Sequence, residues 1–284
     1  MALGQKAFRL IWRAANVALV VSLLALVYSA GWEYSVRRYL SGFDEAIIPS
    51  NAAPEQRVDA ILRWMREGPP RSLEPTPSGL AIRDPETTLN YRQLLSVCGT
   101  ATNAFLNLAR TSNLQVRRLL LLSPDRTAKH VVAEVLLNGR WIVVDPTYRI
   151  VMRNARCEML TRKDLQNPQN FAEASARIPD YPAEYNYDRF AHVRIARLPL
   201  YGMHLRPVLD RVWPGWDESV DWSLLLERES FFVLTAAVLL SFMLLLLRFF
   251  LAWYADRRLK IVRFHLWSHL VRAGTAFFTT PEIK

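Results

Sequence analysis

The chain has 284 residues, a net charge of +10 and 51% hydrophobic residues, and both properties are distributed unevenly. Residues 1–13 carry three basic residues and no acid, and residues 248–284 carry seven basic residues against two acids. The two ends therefore contribute +3 and +5, which leaves about +2 for the middle of the chain. Because the basic charge belongs to short terminal segments, the composition argues against a nucleic-acid partner.

Two uncharged segments flank the middle of the chain. Residues 14–32 are uncharged over nineteen positions and residues 230–247 over eighteen, which is enough for helices that cross a hydrocarbon core of about 30 Å. The basic flanks predict that both termini are cytoplasmic and that the intervening domain lies across the membrane. We therefore expect a two-pass protein of a bacterial inner (cytoplasmic) membrane, with the lipid bilayer as a partner and a periplasmic or extracellular central domain. The predicted boundaries are a basic N-terminus at 1–13, a span at 14–32, the domain at 33–229, a second span at 230–250 and a basic tail at 251–284.

The flanking segments leave two alternatives open. Small residues at Ser29–Gly31 follow an apolar run, so the first span is either a membrane anchor or a cleaved signal peptide. Trp32, Tyr34 and Trp222 are expected to anchor the spans at the membrane surface. Residues 257–274 read as a basic amphipathic helix, which predicts either an element bound to anionic lipid or a docking site for a membrane-protein partner.

Within the domain, residues 54–67 predict a helix. Pro54 suits its first turn, Val58, Ile61, Leu62 and Met65 share one face, and Gly68 follows its end. The next twenty residues contain five prolines and predict a long loop. Such a loop is either functional or a plain surface connection.

Cys98 opens a second helical pattern. Apolar residues follow it at helical spacing, namely Ala101, Ala104, Phe105, Leu108 and Ala109. The helix is expected to end near Thr111 and Ser112, with Asn113 in a left-handed conformation. A thiol in the first turn of a helix is stabilised as thiolate by free amides and the helix dipole. The alternative is a buried structural cysteine that behaves as a small hydrophobe.

A β-hairpin is predicted downstream of this helix. The runs 131–137 and 140–144 are rich in β-formers, and Asn138-Gly139 between them is a strong turn signal. Pairing the two runs places His130, just before the first, and Asp145, just after the second, at the same end. The carboxylate can then orient the imidazole and leave its other nitrogen facing a thiol. A surface pair of His and Asp is the alternative.

These residues together resemble the transglutaminase-like superfamily of papain-related cysteine enzymes. The resemblance covers about sixty residues closely. Its pieces are Cys98-Gly99 before an apolar helix, the arginine-bearing strand at 116–118, the His130 strand, Asn138-Gly139-Arg140-Trp141 running to Asp145-Pro146-Thr147, and more loosely the helix that contains Trp64. The chain departs from the common pattern at Val132, where many members have an aromatic residue, and at Asn113, where they have glycine.

The resemblance implies an α+β fold, in which a helix bearing the cysteine packs on an antiparallel sheet bearing the histidine and the aspartate, here flanked by two transmembrane helices. It implies that Cys98 is the nucleophile, His130 the general base and acid, and Asp145 the residue that orients His130. The backbone amide of Cys98 and the side chain of Gln93 are candidates for the oxyanion site. Tyr91 competes with Gln93 for that role. Cys98 and Cys157 could instead form a disulfide that silences the nucleophile.

The rest of the chain yields fewer functional signals. His192 and His204 are expected to be structural, and no motif indicates a metal, nucleotide or other cofactor. Two functions remain from the sequence. The first is a membrane-tethered cysteine peptidase, amidase or acyltransferase acting on a protein or peptide outside the cytoplasm. The second is a catalytically silent scaffold in a membrane assembly for surface protein or polysaccharide.

Overall fold

The computed structural model describes residues 2–74, 84–193, 202–219 and 223–259. The chain forms two compact units, one from Met1–Leu26 with Ala237–Lys284 and the other from Val27–Ala236. Most of the predicted amphipathic segment at 257–274 and the predicted anchor Trp222 lie outside the described residues.

Two long apolar helices correspond to the predicted spans. Helix α1 covers Ala2–Ile47, and a later helix, numbered α10 below, covers Glu229–Tyr254. Both are long and apolar enough to cross a membrane. In the first unit Ser241 Oγ donates to Ser22 Oγ at 3.2 Å, and Arg248 lies 5.7 Å from the Trp12 ring. Helix α1 continues fifteen residues beyond the predicted span end at Trp32, because its later turns bury Val36 and Leu40 in the core of the second unit.

The second unit combines short helices with one antiparallel sheet. Helices α2 (Pro54–Glu67), α3 (Pro85–Asn90) and α4 (Cys98–Thr111) precede strands β1 (Val116–Leu122), β2 (Ala128–Leu137), β3 (Arg140–Asp145) and β4 (Ile150–Val151). Helices α5 (Arg162–Leu165) and α6 (Pro168–Ser175) lead to β5 (Phe190–Ala191), and α7 (Gly202–Val212), α8 (Trp216–Ser219) and α9 (Ser223–Glu227) precede α10. The predicted bounds of α2 and α4 are confirmed.

The expected proline-rich loop contains one short helix. Helix α3 begins at Pro85 because Asp84 caps it by accepting from the Glu86 amide at 3.2 Å, and proline fits the first helical turn. The prediction of a loop was therefore wrong from Pro85 onward, where the chain is helical. Residues 69–74 of the predicted loop contain no helix, and residues 75–83 lie outside the described part of the chain.

The sheet has the strand order β4-β3-β2-β1-β5, and each pair of neighbours is antiparallel. Asn138 and Gly139 connect β2 to β3 with φ of 50° and 76°, which are the positive values that a tight hairpin turn requires. Both faces of the sheet are buried. Val135, Ile142 and Val144 pack with α2 and α4 on one face, and Val132 and Val143 pack with Leu160 and Tyr187 on the other.

Two pieces of the sequence pattern have structural roles in this sheet. Arg117 on β1 donates to Glu134 on β2 at 2.6 Å, and its guanidinium lies 4.1 Å from the Trp141 ring on β3. A cation over an aromatic face stabilises the pair. The arginine and the tryptophan therefore tie three adjacent strands together.

Candidate active site

Cys98 occupies the first turn of α4, as predicted, and this helix packs directly on the sheet. Thr102 Oγ1 donates to the Val131 carbonyl at 2.9 Å, which holds the first turns of α4 against β2. The left-handed Asn113, with φ of 58°, ends the helical region as predicted. Ala104, Phe105 and the other small or apolar residues of the inner face are fully buried, so the position of the thiol is set by a rigid element.

His130 lies beside this helix end and is 1% exposed. It is inside β2 and not before it, because pairing with β1 continues to Ala128 and places His130 opposite Leu121. The predicted start of this strand at Val131 was therefore too late. Ala133 pairs with Val144, so Asp145 lies across from Val132 and on a diagonal to His130. The Nε2 atom of His130 contacts Asp145 Oδ2 at 2.7 Å, which is the predicted proximity of the two side chains.

Asp145 is fully buried and receives four donors. Its Oδ2 accepts from His130 Nε2 and from the Tyr181 hydroxyl at 3.2 Å. Its Oδ1 accepts from the backbone amides of Thr147 at 3.0 Å and Tyr148 at 3.4 Å. Because all four bonds converge on one carboxylate, the side chain is held in a single orientation toward the imidazole.

The electrostatics of Cys98 and His130 are coupled. Hydrogen bonding to His130 is the main influence that lowers the pKa of Cys98, and the Val131 and Gly99 amides act in the same direction against burial. Burial alone would lower the pKa of His130, but hydrogen bonds to Asp145 and Cys98 raise it to about 9. Since Nε2 is used by Asp145, Nδ1 is the imidazole nitrogen left for the thiol, and it has no hydrogen-bond partner among the described residues.

Four tyrosines lie beside His130 and Asp145 and form an aromatic wall, namely Tyr148, Tyr181, Tyr185 and Tyr187. Tyr185 stacks on the His130 ring with a centroid distance of 4.3 Å and an interplanar angle of 5°. Tyr181 lies edge-on to His130 and its hydroxyl is 3.2 Å from that of Tyr187. Burial is the main cause that raises the pKa values of Tyr181 and Tyr187, so both hydroxyls stay protonated donors. The wall therefore covers the imidazole and supports the carboxylate.

Sequence reasoning missed this wall. Three of its members stand close together in the segment Tyr181-Pro-Ala-Glu-Tyr185-Asn-Tyr187. That clustering of tyrosines was the available signal, but the segment has no regular period. Its approach to His130 depends on contacts made far along the chain, so spacing alone could not reveal it.

The other candidate residues have varied positions. Gln93 is exposed just before a short 3₁₀ turn at Leu94–Ser96, and no hydrogen bond within the described residues connects its side chain to Cys98. Its oxyanion role stays a prediction. Cys98 and Cys157 are both free thiols, so the structure contains no bond between them. His192 is buried and its Nδ1 contacts the Arg118 carbonyl at 2.6 Å, consistent with a structural role. The side chain of His204 lies outside the described part of the chain.

Comparison with known protein families gives one match. Residues 42–146 match the family model of the transglutaminase-like superfamily. The matched segment contains Cys98, His130 and Asp145, and it ends one residue after the aspartate. All four tyrosines of the aromatic wall lie beyond it. No match was found among curated proteins or among solved structures.

Proposed function

Residues 42–146 form a transglutaminase-like superfamily domain, and we propose that this domain is a cysteine-dependent acyl-transfer enzyme. Cys98 acts as the nucleophile, His130 as the general base and acid, and Asp145 as the orienting residue. The observation that supports the proposal is the buried imidazole of His130, whose Nε2 contacts the Asp145 carboxylate at 2.7 Å while its Nδ1 is left for the thiol of Cys98, the residue whose pKa His130 lowers. This pattern of partners is the one that activates a nucleophile.

The chemistry begins with attack of the Cys98 thiolate on the carbonyl carbon of an amide. The new C–S bond gives a tetrahedral oxyanion, for which the Cys98 backbone amide is the first donor and Gln93 the candidate second donor. Collapse of this intermediate breaks the C–N bond, and His130 gives its proton to the departing amine. The product of this half-reaction is a thioester on Cys98.

The second half-reaction releases the acyl group. His130 takes a proton from water as the water oxygen attacks the thioester carbonyl, and cleavage of the C–S bond frees a carboxylic acid and restores the thiolate. An amine acceptor would give a new amide by the same steps. We favour hydrolysis because water is always available, so the proposed enzyme is a peptidase or amidase.

The location of the substrate follows from the proposed topology. Two helices long enough to span a membrane flank the domain, and basic residues predominate beyond both apolar segments. Charge bias of this kind favours cytoplasmic termini. The domain would then act outside the cytoplasm, on an envelope or secreted protein, and a bacterial inner membrane is the proposed site. The scaffold alternative in its disulfide-locked form lacks support, because both thiols are free.

The decisive experiment is labelling of the full-length protein in detergent by an electrophilic thiol probe. We expect labelling at Cys98 below pH 7, lost in Cys98→Ala and strongly slowed in His130→Ala. Cys157→Ala is the control, because it removes the other thiol, which is exposed, and leaves Cys98 in place. Labelling of Cys98 that occurs only at alkaline pH, or that does not depend on His130, would overturn the proposal.

A further inference from the structure

A cavity near the proposed site is lined by four arginines. It has a volume of about 450 Å³ and lies between the end of α2, the Gly68–Leu73 segment and the residues that precede α4. Arg66, Arg71, Arg92 and Arg149 line it together with apolar residues that include Met65 and Leu95. No carboxylate belongs to this lining within the described part of the chain.

Two of the four arginines are held in place by the backbone. Arg149 donates to the carbonyls of Met65, Thr147 and Leu95 at 3.3, 3.1 and 3.4 Å. Arg71 donates to the carbonyls of Leu89 and Trp64 at 3.2 and 3.0 Å and stacks on the Trp64 ring at 4.5 Å. Both side chains are therefore preorganised, which lowers the entropy cost of binding a ligand.

The arginines also repel one another. Burial first, and then the neighbouring charge of Arg149, lowers the pKa of Arg71. Burial and the charges of Arg66 and Arg92 lower the pKa of Arg149 in the same way. Arg66 has the exposed Glu67 at 3.5 Å, but that carboxylate is not part of the lining. A bound anion would relieve this repulsion and would be attracted by all four charges.

The cavity is connected to the proposed reaction centre by short stretches of backbone. Arg149 contacts the carbonyl of Leu95, three residues before Cys98, and the carbonyl of Thr147. The amide of Thr147 in turn donates to Asp145 Oδ1. A ligand group in the cavity would therefore lie beside the Cys98 and Asp145 segments, where a substrate chain would pass.

We propose that the arginine-lined cavity binds the carboxylate side chains of an acidic segment in the peptide substrate, next to the bond that Cys98 attacks. This inference rests on the proposed function, because a cysteine acyl-transfer enzyme needs a carbonyl substrate and carboxylates are the anionic groups that a plain peptide supplies. Guanidinium groups match carboxylates in a bidentate geometry. The exposed Arg66 and Arg92 give the cavity a mouth at which further acidic residues can bind.

Binding of a fluorescent hexaglutamate peptide to the full-length protein tests the proposal. The measurement uses Cys98→Ala in neutral detergent, so that binding is read without turnover and remains interpretable if the catalytic proposal fails. Failure of the catalytic proposal would be seen separately as absence of thiol labelling in the wild type. We expect hexaglutamate to bind at least tenfold more tightly than hexaglutamine, with an affinity that falls as salt rises.

Variants of the arginines at the mouth test whether hexaglutamate binds in this cavity. Arg66→Gln/Arg92→Gln changes two side chains at the mouth and should weaken hexaglutamate binding about tenfold. Arg156→Gln, an exposed control outside the cavity whose side chain lies 3.7 Å from Glu158, should leave the binding unchanged. Equal weakening by both changes, or none by either, would overturn the proposal. It would also be overturned if the site binds inorganic phosphate or phosphatidylglycerol vesicles but not hexaglutamate.

Discussion

His130 is the residue that links Cys98 to Asp145 in the proposed triad. Its ring is enclosed by protein, yet the pKa of the imidazole is raised to about 9 while that of Cys98 is lowered. A raised histidine pKa and a depressed thiol pKa mean that the thiolate–imidazolium pair dominates between the two values. Below this window the thiolate takes up a proton, and above it the imidazolium loses the proton that the leaving amine needs.

The pH dependence of Cys98 follows from this pair. Its alkylation rate should rise with pH through the lowered thiol pKa, and turnover should fall again above about pH 9. His130→Ala should move the rise toward the ordinary thiol pKa of about 8.5. Stopped-flow alkylation with iodoacetamide in a Cys157→Ala background measures the pH profile of Cys98 alkylation with and without His130→Ala. An unchanged rise in the His130 variant would show that the thiolate is stabilised by other groups.

Asp145 should control the protonation of His130 through its charge. Asp145→Asn keeps the volume and one carbonyl acceptor but removes the charge that raises the imidazole pKa. We expect turnover to fall by on the order of 10²–10⁴-fold, with the alkaline limb moved below pH 9. Tyr181→Phe, which removes only the hydroxyl donor to Asp145, is the comparison and should have a smaller effect. Equal activity of Asp145→Asn and wild type would exclude the orienting role.

Tyr185 should stabilise the charged form of His130 by stacking on it. The parallel rings at 4.3 Å place the imidazole against the tyrosine face, an arrangement that favours a cation by about 0.5–2 kcal/mol. Tyr185→Leu should therefore lower the histidine pKa by about 0.4–1.5. Tyr185→Phe keeps the ring and should preserve the pKa. Histidine NMR titration of both variants makes the comparison, and equal values for Leu and Phe would rule out a contribution from stacking.

A buried side-chain hydrogen bond joins helix α4 to strand β2 next to the site. Thr102 Oγ1 donates to the Val131 carbonyl, the residue next to His130. Thr102→Val removes this bond at constant volume and should cost about 1–2 kcal/mol of unfolding free energy. It should also slow Cys98 alkylation at pH 6, because the thiol loses its fixed distance to the imidazole. Thr102→Ser keeps the hydroxyl and is the control. A loss of stability without slower alkylation would make the bond purely structural.

The local elements could be predicted from the sequence because their signals are local. The apolar spacing and proline of α2, the helical face after Cys98, and Asn138-Gly139 with its positive φ values each act within a few residues. His130 and Asp145 were brought together correctly because a tight turn determines the register of its hairpin. The fold was expected from the resemblance, and the family match supports it.

The remaining features depend on contacts between distant parts of the chain. Tyr181 and Tyr185 reach His130 from more than fifty positions away, and no period in their segment marks them. Trp32, whose place at the membrane surface stays a prediction, packs partly against the domain core because α1 continues to Ile47. Such features follow from packing, which a single sequence does not display.

At the scale of the molecule, a buried polar network connects three distant segments of the second unit. Arg228 is 5% exposed and donates to Glu33 Oε1 on α1 at 2.9 Å, although 195 positions separate the two residues. It also donates twice to Asn107 Oδ1 on α4, at 3.0 and 2.8 Å. The same Glu33 accepts from Ser230 at 2.7 Å. Helix α4, which carries Cys98, is thereby linked through Arg228 to α1, which precedes the domain, and to the start of α10, which follows it.

Removal of Arg228 should destabilise this unit strongly, because Glu33 would be left buried with its charge poorly compensated. Arg228→Met is expected to cost about 3–5 kcal/mol and to lower the melting temperature by roughly 10 °C. Arg37→Met is the matched control. Arg37 also donates to Glu33, at 2.7 Å, but its side chain is 60% exposed, so its loss should cost less than about 1 kcal/mol.

A double variant separates the buried charge from the lost contacts. Glu33→Gln added to Arg228→Met removes the uncompensated carboxylate, so it should recover part of the lost stability. Thermal unfolding of the four proteins in one detergent, followed by tryptophan fluorescence, gives the comparison. If Arg37→Met proved as damaging as Arg228→Met, or if Glu33→Gln deepened the loss, then packing of the long side chains and not compensation of the Glu33 charge would hold the three segments together.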